Sequence, residues 1–273
     1  MGVLNLTPDS FSDGGRYLDP ERALDRALQM LDQGADILDL GAESTRPGGG
    51  VYGDGAARVD ETTELERLLP VLDRLRRSTN APLSIDTRKA AVARAALAEG
   101  ADLINDVSAL GDPQMAQVVS ASGVPIILMH SRGWHRTMQR DIRFGNVVAE
   151  VRTELGASVE AAVHSGIARD QILIDPGIGF GKTVGHNLDL LRGLDVLAEL
   201  GPPIVIGTSR KSFIGAVAGA NDVGSRLGGS LATAIWAAQR GAQILRTHDV
   251  AETAQYLRLW SCLETAEERA WAE

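Results

Sequence analysis

Apolar, β-branched segments return along this chain at a steady interval. They read GVLNL, DILDL, PLSI, DLIND, PIILM, QILID, PIVIG and QILRT. After each comes a stretch with the apolar period of an amphipathic helix, over 20–33, 61–77, 89–98, 113–121, 146–164, 188–200, 225–240 and 251–265. Several helices give way to QGAD, EGAD, SGV or RGAQ, where glycine suits the residue just past a helix end. Eight strand-plus-helix units constrain the fold more than any other feature. They predict an α/β protein built as a single (β/α)8 TIM barrel, with parallel strands inside and helices outside. A doubly wound open sheet is the alternative, but it rarely needs eight equal units. Barrels of about 250 residues fold as one domain, and this chain has 273 residues. No linker, low-complexity tract or shift in composition divides it, so residues 1–273 are read as one domain.

Charge and cysteine usage narrow the function. With 27 Lys plus Arg against 36 Asp plus Glu, the formal charge is −9. Nonspecific nucleic-acid binding needs a basic footprint, which is lacking here. A small anion in a locally basic pocket remains compatible with that balance. The single cysteine, Cys262, can form no internal disulfide and no cysteine-based zinc site. Such usage predicts a reducing, cytoplasmic setting. No apolar run approaches the roughly 18 residues of a membrane span, and no charged-then-apolar leader is seen.

Function in such a barrel sits at the carboxyl ends of the strands. Those ends supply Asn5, Asp39, Asp86, Asn105 with Asp106, His130, Asp175, Ser209-Arg210-Lys211, and Arg246 with His248. Any one Asp after a strand is as readily the N-cap of the next helix, because its carboxylate accepts orphan backbone N–H groups. Polar residues at all eight ends are harder to assign to capping alone. Long active-site loops are expected after strands 1, 2 and 5. The residues fall into two groups. Asp86, Asn105 and Asp175, with Asp39 nearby, form a carboxylate and amide set that can read the edge of a flat heterocycle bearing N–H groups. Arg46, Lys211, Arg246 and His248 form a cationic set, with the strand 7 and 8 members at the usual phosphate corner of a barrel. Asn5 is a candidate oxygen ligand for Mg2+, which binds through few protein groups plus phosphate oxygens and waters.

Two motifs are set aside. GIGFGKT looks like a nucleotide phosphate loop, but that motif needs glycine where Pro176 stands. The five histidines show no zinc spacing, and His164 and His186 are expected on helix surfaces.

Seven segments, LNLTPDSFSDGG, GAESTRPG, SIDT, LINDVSAL, DPGIGFGKT, GTSRKSFIG and RTHD, resemble in order and spacing the signatures of the dihydropteroate synthase family. The resemblance runs from residue 2 to about residue 250. It implies a pterin-binding barrel that joins 6-hydroxymethyl-7,8-dihydropterin diphosphate to 4-aminobenzoate, with Mg2+ present and diphosphate released. Carried over by motif, Asn5 holds the metal and diphosphate. Asp86, Asn105, Asp175 and Lys211 bind the pterin. Thr45, Arg246 and His248 hold the diphosphate, Arg246 also flanking the pterin ring. Arg46, Pro47, Phe180 and Ser209 line the aminobenzoate pocket. The resemblance also implies a homodimer.

The sequence departs from the family's pattern in places. GGGVYGDG lengthens the second loop and brings in Tyr52, SRGWHRTMQ brings in Trp134 and His135, and Ile178 stands where an aromatic is common. None of these removes a residue assigned to pterin or diphosphate. Two rival functions share the fold. A corrinoid-linked pterin methyltransferase has no use for TPDSFSDGG, STRPG or SRK around a diphosphate. An inactive pterin-binding paralogue should have lost part of the diphosphate or metal set, which is intact here.

Overall fold

The computed structural model describes residues 1–7, 19–43, 59–132, 142–220 and 222–265. Eight short strands form one parallel sheet in sequence order. They are β1 (Gly2–Asn5), β2 (Leu38–Gly41), β3 (Leu83–Asp86), β4 (Leu103–Asp106), β5 (Ile126–Met129), β6 (Ile172–Asp175), β7 (Ile204–Ile206) and β8 (Ala242–Leu245). A parallel bridge from Gly2 to Thr247 closes the ring, with Val3 N–H donating to the Thr247 carbonyl at 2.9 Å. The expected barrel is therefore present.

Strand parity explains both its stability and its chemistry. Successive side chains point to opposite faces. One set, including Leu38, Leu40, Leu83, Ile85, Ile104, Ile126, Leu128, Ile172 and Ile174, packs outward against the helices in the main core. The alternate set faces inward. At its amino-terminal level it is apolar, with Leu103, Ile127 and Val205 clustered beside Ile37, Leu173 and Ile244. Higher up, the same parity delivers Asp39, Ser84, Asp86 and Asn105. Register places Asn5, Gly41, Asp86 and Asn105 opposite one another in turn around the ring.

Helices form where the apolar period and caps predict. The helix α1 (Pro20–Asp32) starts at Asp19, whose carboxylate accepts from Glu21 N–H at 3.0 Å, with proline in the first turn. Likewise α2 (Glu61–Ser78) is capped by Asp60 and ends with Arg76 and Arg77 in its last turn, which suits the helix dipole. Its buried stripe, Leu68, Val71, Leu72 and Leu75, follows the helical spacing. Truncating Leu72 to Ala there is expected to cost about 2–5 kcal/mol. The next three are α3 (Ala90–Ala98), α4 (Met115–Ser122) and α5 (Val147–His164). Gly123, at φ 69°, ends α4 in the left-handed region.

The structure differs from the sequence reading after β6. The helix begins at Val184 rather than 188, because the Thr183 hydroxyl accepts from His186 N–H at 3.1 Å and starts it early. It divides at Gly193 into α6 (Val184–Arg192) and α7 (Leu194–Ala198). An additional short helix, α8 (Ser212–Ala218), follows β7 before α9 (Leu227–Ala238), and α10 (Val250–Thr265) is the last element among the described residues.

Candidate active site

The centre of the carboxyl mouth is Asp39, fully buried on β2. Its Oδ1 accepts from the Ser84 hydroxyl at 2.6 Å on the neighbouring strand. Its Oδ2 accepts from Arg246 Nε at 2.6 Å and Asn105 Nδ2 at 3.2 Å. Arg246 then reaches Asp86, donating from Nη2 to Oδ2 at 2.9 Å. The two expected groups are thus one: the main cation of the phosphate corner is bound to two carboxylates of the heterocycle-reading set. Burial works against the charge on Arg246, but Asp39 and Asp86 outweigh it and raise its pKa. A guanidinium suits this place because its planar fork serves two acceptors at once.

Asp86 keeps one oxygen in reserve. Its Oδ1 is buried and has no hydrogen-bond partner among the described residues. An unpaired buried acceptor costs about 1–3 kcal/mol, so it is a ready site for a ring N–H donor. Burial pushes the Asp86 carboxyl up to about 7, Arg246 opposes the rise, and Asp39 adds to it. Asp175, on β6, is raised by burial too, while Gly177 N–H donates to its Oδ1 at 2.7 Å. Lys211 faces Asp175 from the β7 side, and burial lowers its pKa to about 8 against the pull of that carboxylate. The Lys211 ammonium lies 4.1 Å from the centre of the Phe180 ring. Asp86, Asn105, Asp175, Lys211, Arg246 and Phe180 therefore converge.

His248 and Ser209 sit together on the adjoining rim. The Ser209 hydroxyl oxygen is 3.1 Å from His248 Nδ1 and accepts from the His248 backbone N–H at 3.2 Å. Burial, then Arg246 and Arg210, lower the imidazole to about 3. This corrects the expectation of a cationic His248: in the free protein it is a neutral hydrogen-bonding group. Arg210 also does other work than its place suggested. It pairs with Asp249, Nε to Oδ2 at 3.1 Å, and ties the β7 exit to the β8 exit.

Asn5 ends β1 at the mouth and is exposed. Among the described residues no group of three His, Cys, Asp or Glu is arranged around a metal. A hard cation held mainly by phosphate oxygens, with one amide oxygen from the protein, fits that donor set. Thr45, Arg46 and Pro47, like Tyr52, Trp134 and His135, lie outside the described residues, as do the loops expected after β1, β2 and β5.

Several polar strand ends serve the scaffold instead. Asp106 accepts from the N–H groups of Ser108 at 2.8 Å and Leu110 at 2.7 Å, so it closes the turn after β4 and does not cap α4, which starts at Met115. His130 is buried against Lys182 and Glu154. Sequence reasoning missed a buried ion cluster below the β2 exit. Lys89 Nζ binds Glu43 at 2.7 Å and also Glu64, while Arg88 binds Glu43 at 2.9 Å and the Thr87 hydroxyl donates to Glu64 at 2.6 Å. It also undervalued Asp39. The available signal was parity: Asp39 is two residues before Gly41, on the same inward face.

The comparisons with known proteins agree with this geometry. Residues 1–248 match the model of a family described as pterin binding enzyme. A curated relative from Synechocystis, named dihydropteroate synthase, is 44% identical over 264 residues, covering 96% of this chain and 89% of its own. The Xanthomonas albilineans dihydropteroate synthase solved with 4-aminobenzoic acid has a TM-score of 0.90 at 44% identity, covering 97% of this chain and 92% of that one. A Yersinia pestis dihydropteroate synthase in complex with a sulfonamide drug has a TM-score of 0.90 at 39% identity, covering 98% and 94%.

Proposed function

The chain belongs to the pterin binding enzyme family, and from that membership and the geometry of its barrel mouth we propose how it works as a dihydropteroate synthase. The enzyme is a transferase. It joins 6-hydroxymethyl-7,8-dihydropterin diphosphate to 4-aminobenzoate, giving 7,8-dihydropteroate and diphosphate. One observation carries the assignment of roles: Arg246 bridges Asp39 and Asp86 while Asp86 Oδ1 stays buried and, among the described residues, unpartnered.

In the proposed mechanism Asp86, Asn105 and Asp175 take the edge of the pterin ring, and Lys211 supplies a donor beside it. The bond from the exocyclic methylene to the diphosphate oxygen then breaks, and the oxygen keeps the electron pair. Positive charge develops on the methylene and spreads into the ring, where the Asp86 and Asp175 carboxylates stabilise it. Arg246 and the neutral His248 donate to the departing diphosphate, with Thr45 beside them. Single donors aimed at a developing anion contribute on the order of 3–4 kcal/mol. Mg2+, held by Asn5 and the diphosphate oxygens, would supply further neutralisation of the leaving group. The arylamine nitrogen attacks the methylene and gives up a proton to solvent. It is neutral at pH 7, so placement and exclusion of water matter more than a strong base. Arg46, Pro47, Phe180 and Ser209 form its pocket.

We further propose that residues 1–273 act as one domain in the cytoplasm, a setting that suits a chain with a single cysteine. The enzyme is a homodimer in this proposal, joined through the α8–α9 side, where Val217, Val223 and Trp236 are exposed. Light scattering on purified protein tests the dimer. Activity is tested by mixing the two substrates with Mg2+ and no corrinoid. Diphosphate and 7,8-dihydropteroate are expected in equal amounts. Normal binding of the pterin substrate without product would overturn the assignment.

A further inference from the structure

The loop that leaves β6 carries Phe180 to the site, and a lysine that the proposed reaction does not use fastens it. Lys182 is 3% exposed. Its ammonium donates to the Phe180 carbonyl at 2.8 Å, to His130 Nδ1 at 3.0 Å and to the His130 carbonyl at 3.4 Å. Three N–H donors therefore meet three acceptors. With Nδ1 accepting, the neutral imidazole carries its proton on Nε2, which donates to Glu154 Oε2 at 2.9 Å. Glu154 is held in turn by Arg132 Nε at 3.1 Å. Burial lowers His130 to about 4, so it stays neutral across the working range.

The backbone leaves this contact little freedom. Gly177 has φ 68°, and a Cβ there would lie 1.9 Å from the His130 carbonyl oxygen. The β6 loop and the β5 exit thus touch main chain to main chain. Within the loop, Phe180 N–H donates to the Gly177 carbonyl at 3.0 Å, and Gly179 N–H donates to Asn187 Oδ1 at 2.7 Å. Lys182 adds a further hold through the Phe180 carbonyl. All three of its hydrogen bonds are made within the protein, and burial lowers its pKa to about 7 against the pull of Asp175.

We propose that Lys182 is a positioning residue for the arylamine: through its bonds to His130 and the Phe180 carbonyl it sets the Phe180 ring, and so fixes affinity for 4-aminobenzoate rather than for the pterin. This rests on Phe180 forming a wall of the aminobenzoate pocket, as assigned above. Loss of the ammonium removes its bond to the Phe180 carbonyl and lets the ring turn away from Lys211. The pterin residues Asp86 and Asn105 stand on other strands and are not carried by this loop, and Asp175 is held on β6 itself.

The test compares Lys182→Met, which keeps the aliphatic stem, with Phe180→Ala. Steady-state kinetics give KM for 4-aminobenzoate and kcat, and calorimetry gives Kd for the pterin diphosphate. For Lys182→Met, KM for the arylamine is expected to rise tenfold or more, with kcat within threefold and pterin Kd within twofold. An unchanged arylamine KM, or equal weakening of both ligands, would overturn the proposal in favour of a purely structural lysine. Phe180→Ala separates the two layers. If it leaves the arylamine KM unchanged, the pocket assignment fails. If it raises KM and Lys182→Met does not, only the positioning role fails. Should Lys182→Met not accumulate as folded protein, His130→Phe decides, because it removes the Nδ1 acceptor while keeping a ring. A threefold or larger rise in arylamine KM supports the role, and an unchanged one refutes it.

Discussion

Replacing Asp39 by Asn probes the centre of the site without touching a group assigned to substrate. Asp39 is fully buried and accepts from Ser84, Asn105 and Arg246. Asparagine keeps the shape, and its oxygen can still accept from Ser84. Its NH2 would then face the N–H groups of Asn105 and Arg246, donor against donor. The charge opposite Arg246 is also lost. Breaking a buried ion pair from one side costs about 3–5 kcal/mol, because the other charge is left short of partners. At about 2–4 °C per kcal/mol for a chain of this size, Tm should fall by roughly 6–20 °C. Urea titration checks the same loss at constant temperature. Adding Arg246→Met to Asp39→Asn removes the orphaned cation, so the double variant should lose clearly less than the sum of the two single losses. A loss under about 1 kcal/mol for Asp39→Asn, or strict additivity with Arg246→Met, would show that the pair does not couple as the geometry requires.

Other consequences follow from the same charges. Asp86 is raised by burial to about 7 in the free protein, and the ring edge is expected to bind its ionised form, so pterin affinity should rise with pH up to that value and then level. Calorimetry from pH 5.5 to 8 checks this, and a flat profile would count against Asp86 as the acceptor. Asp175→Ala should weaken pterin binding by about 1–3 kcal/mol, since it leaves ring donors unpaired, with a smaller effect on arylamine KM. Lys89→Met leaves Glu43 and Glu64 buried together and should destabilise by about 3–5 kcal/mol, read by urea unfolding. For acid stability the sign differs between groups. Glu43 and Glu154 are held below their ordinary values, by Arg88 and Lys89 and by Arg132, so their contribution is present above about pH 4.5 and is lost as pH falls through the folded values. Asp86, raised, acts oppositely: its contribution is present below about pH 4 and is lost as pH rises through about 7. Aryl sulfonamides should compete with 4-aminobenzoate, and a noncompetitive pattern in initial-rate plots would mean a differently shaped pocket.

Much of this was legible in the sequence because two periods carry it. The spacing of β-branched runs gives eight units, and parity within each run selects the inward residues. Asp86, Asn105 and Asp175 could be found that way, as their strands also end in recognisable turns. The division of the sixth helix was not legible. Gly193 resembles an ordinary helical glycine until the packing of α7 is known, and Thr183 resembles part of a glycine-rich loop until its cap is seen. Lys182 was hidden for a related reason. GIGFGKT was set apart from phosphate loops, and nothing in the local sequence marks its lysine as buried. Only tertiary packing shows that the side chain turns inward to His130. The same holds for Glu43, Glu64 and Lys89, which are far apart in sequence and neutralise one another only in the fold.

The joining of the two charge groups bears on how the site works. A lone arginine at a phosphate corner would bind any anion, including free diphosphate, and would release product slowly. Here Arg246 is already paired with Asp39 and Asp86. Its field at the mouth is therefore partly cancelled before catalysis. A ring edge that takes the free oxygen of Asp86 draws on that carboxylate's charge and leaves less of it for Arg246. In the proposed reaction the guanidinium is then a stronger partner for the diphosphate when the pterin is seated beside it. Differential binding of this kind raises rate without tightening the product complex equally. Diphosphate alone should accordingly bind weakly, and a pterin lacking the diphosphate should tighten it. Calorimetric titration of diphosphate with and without such a pterin measures the coupling. Equal affinities in the two titrations would mean that Arg246 serves the anion independently of Asp86.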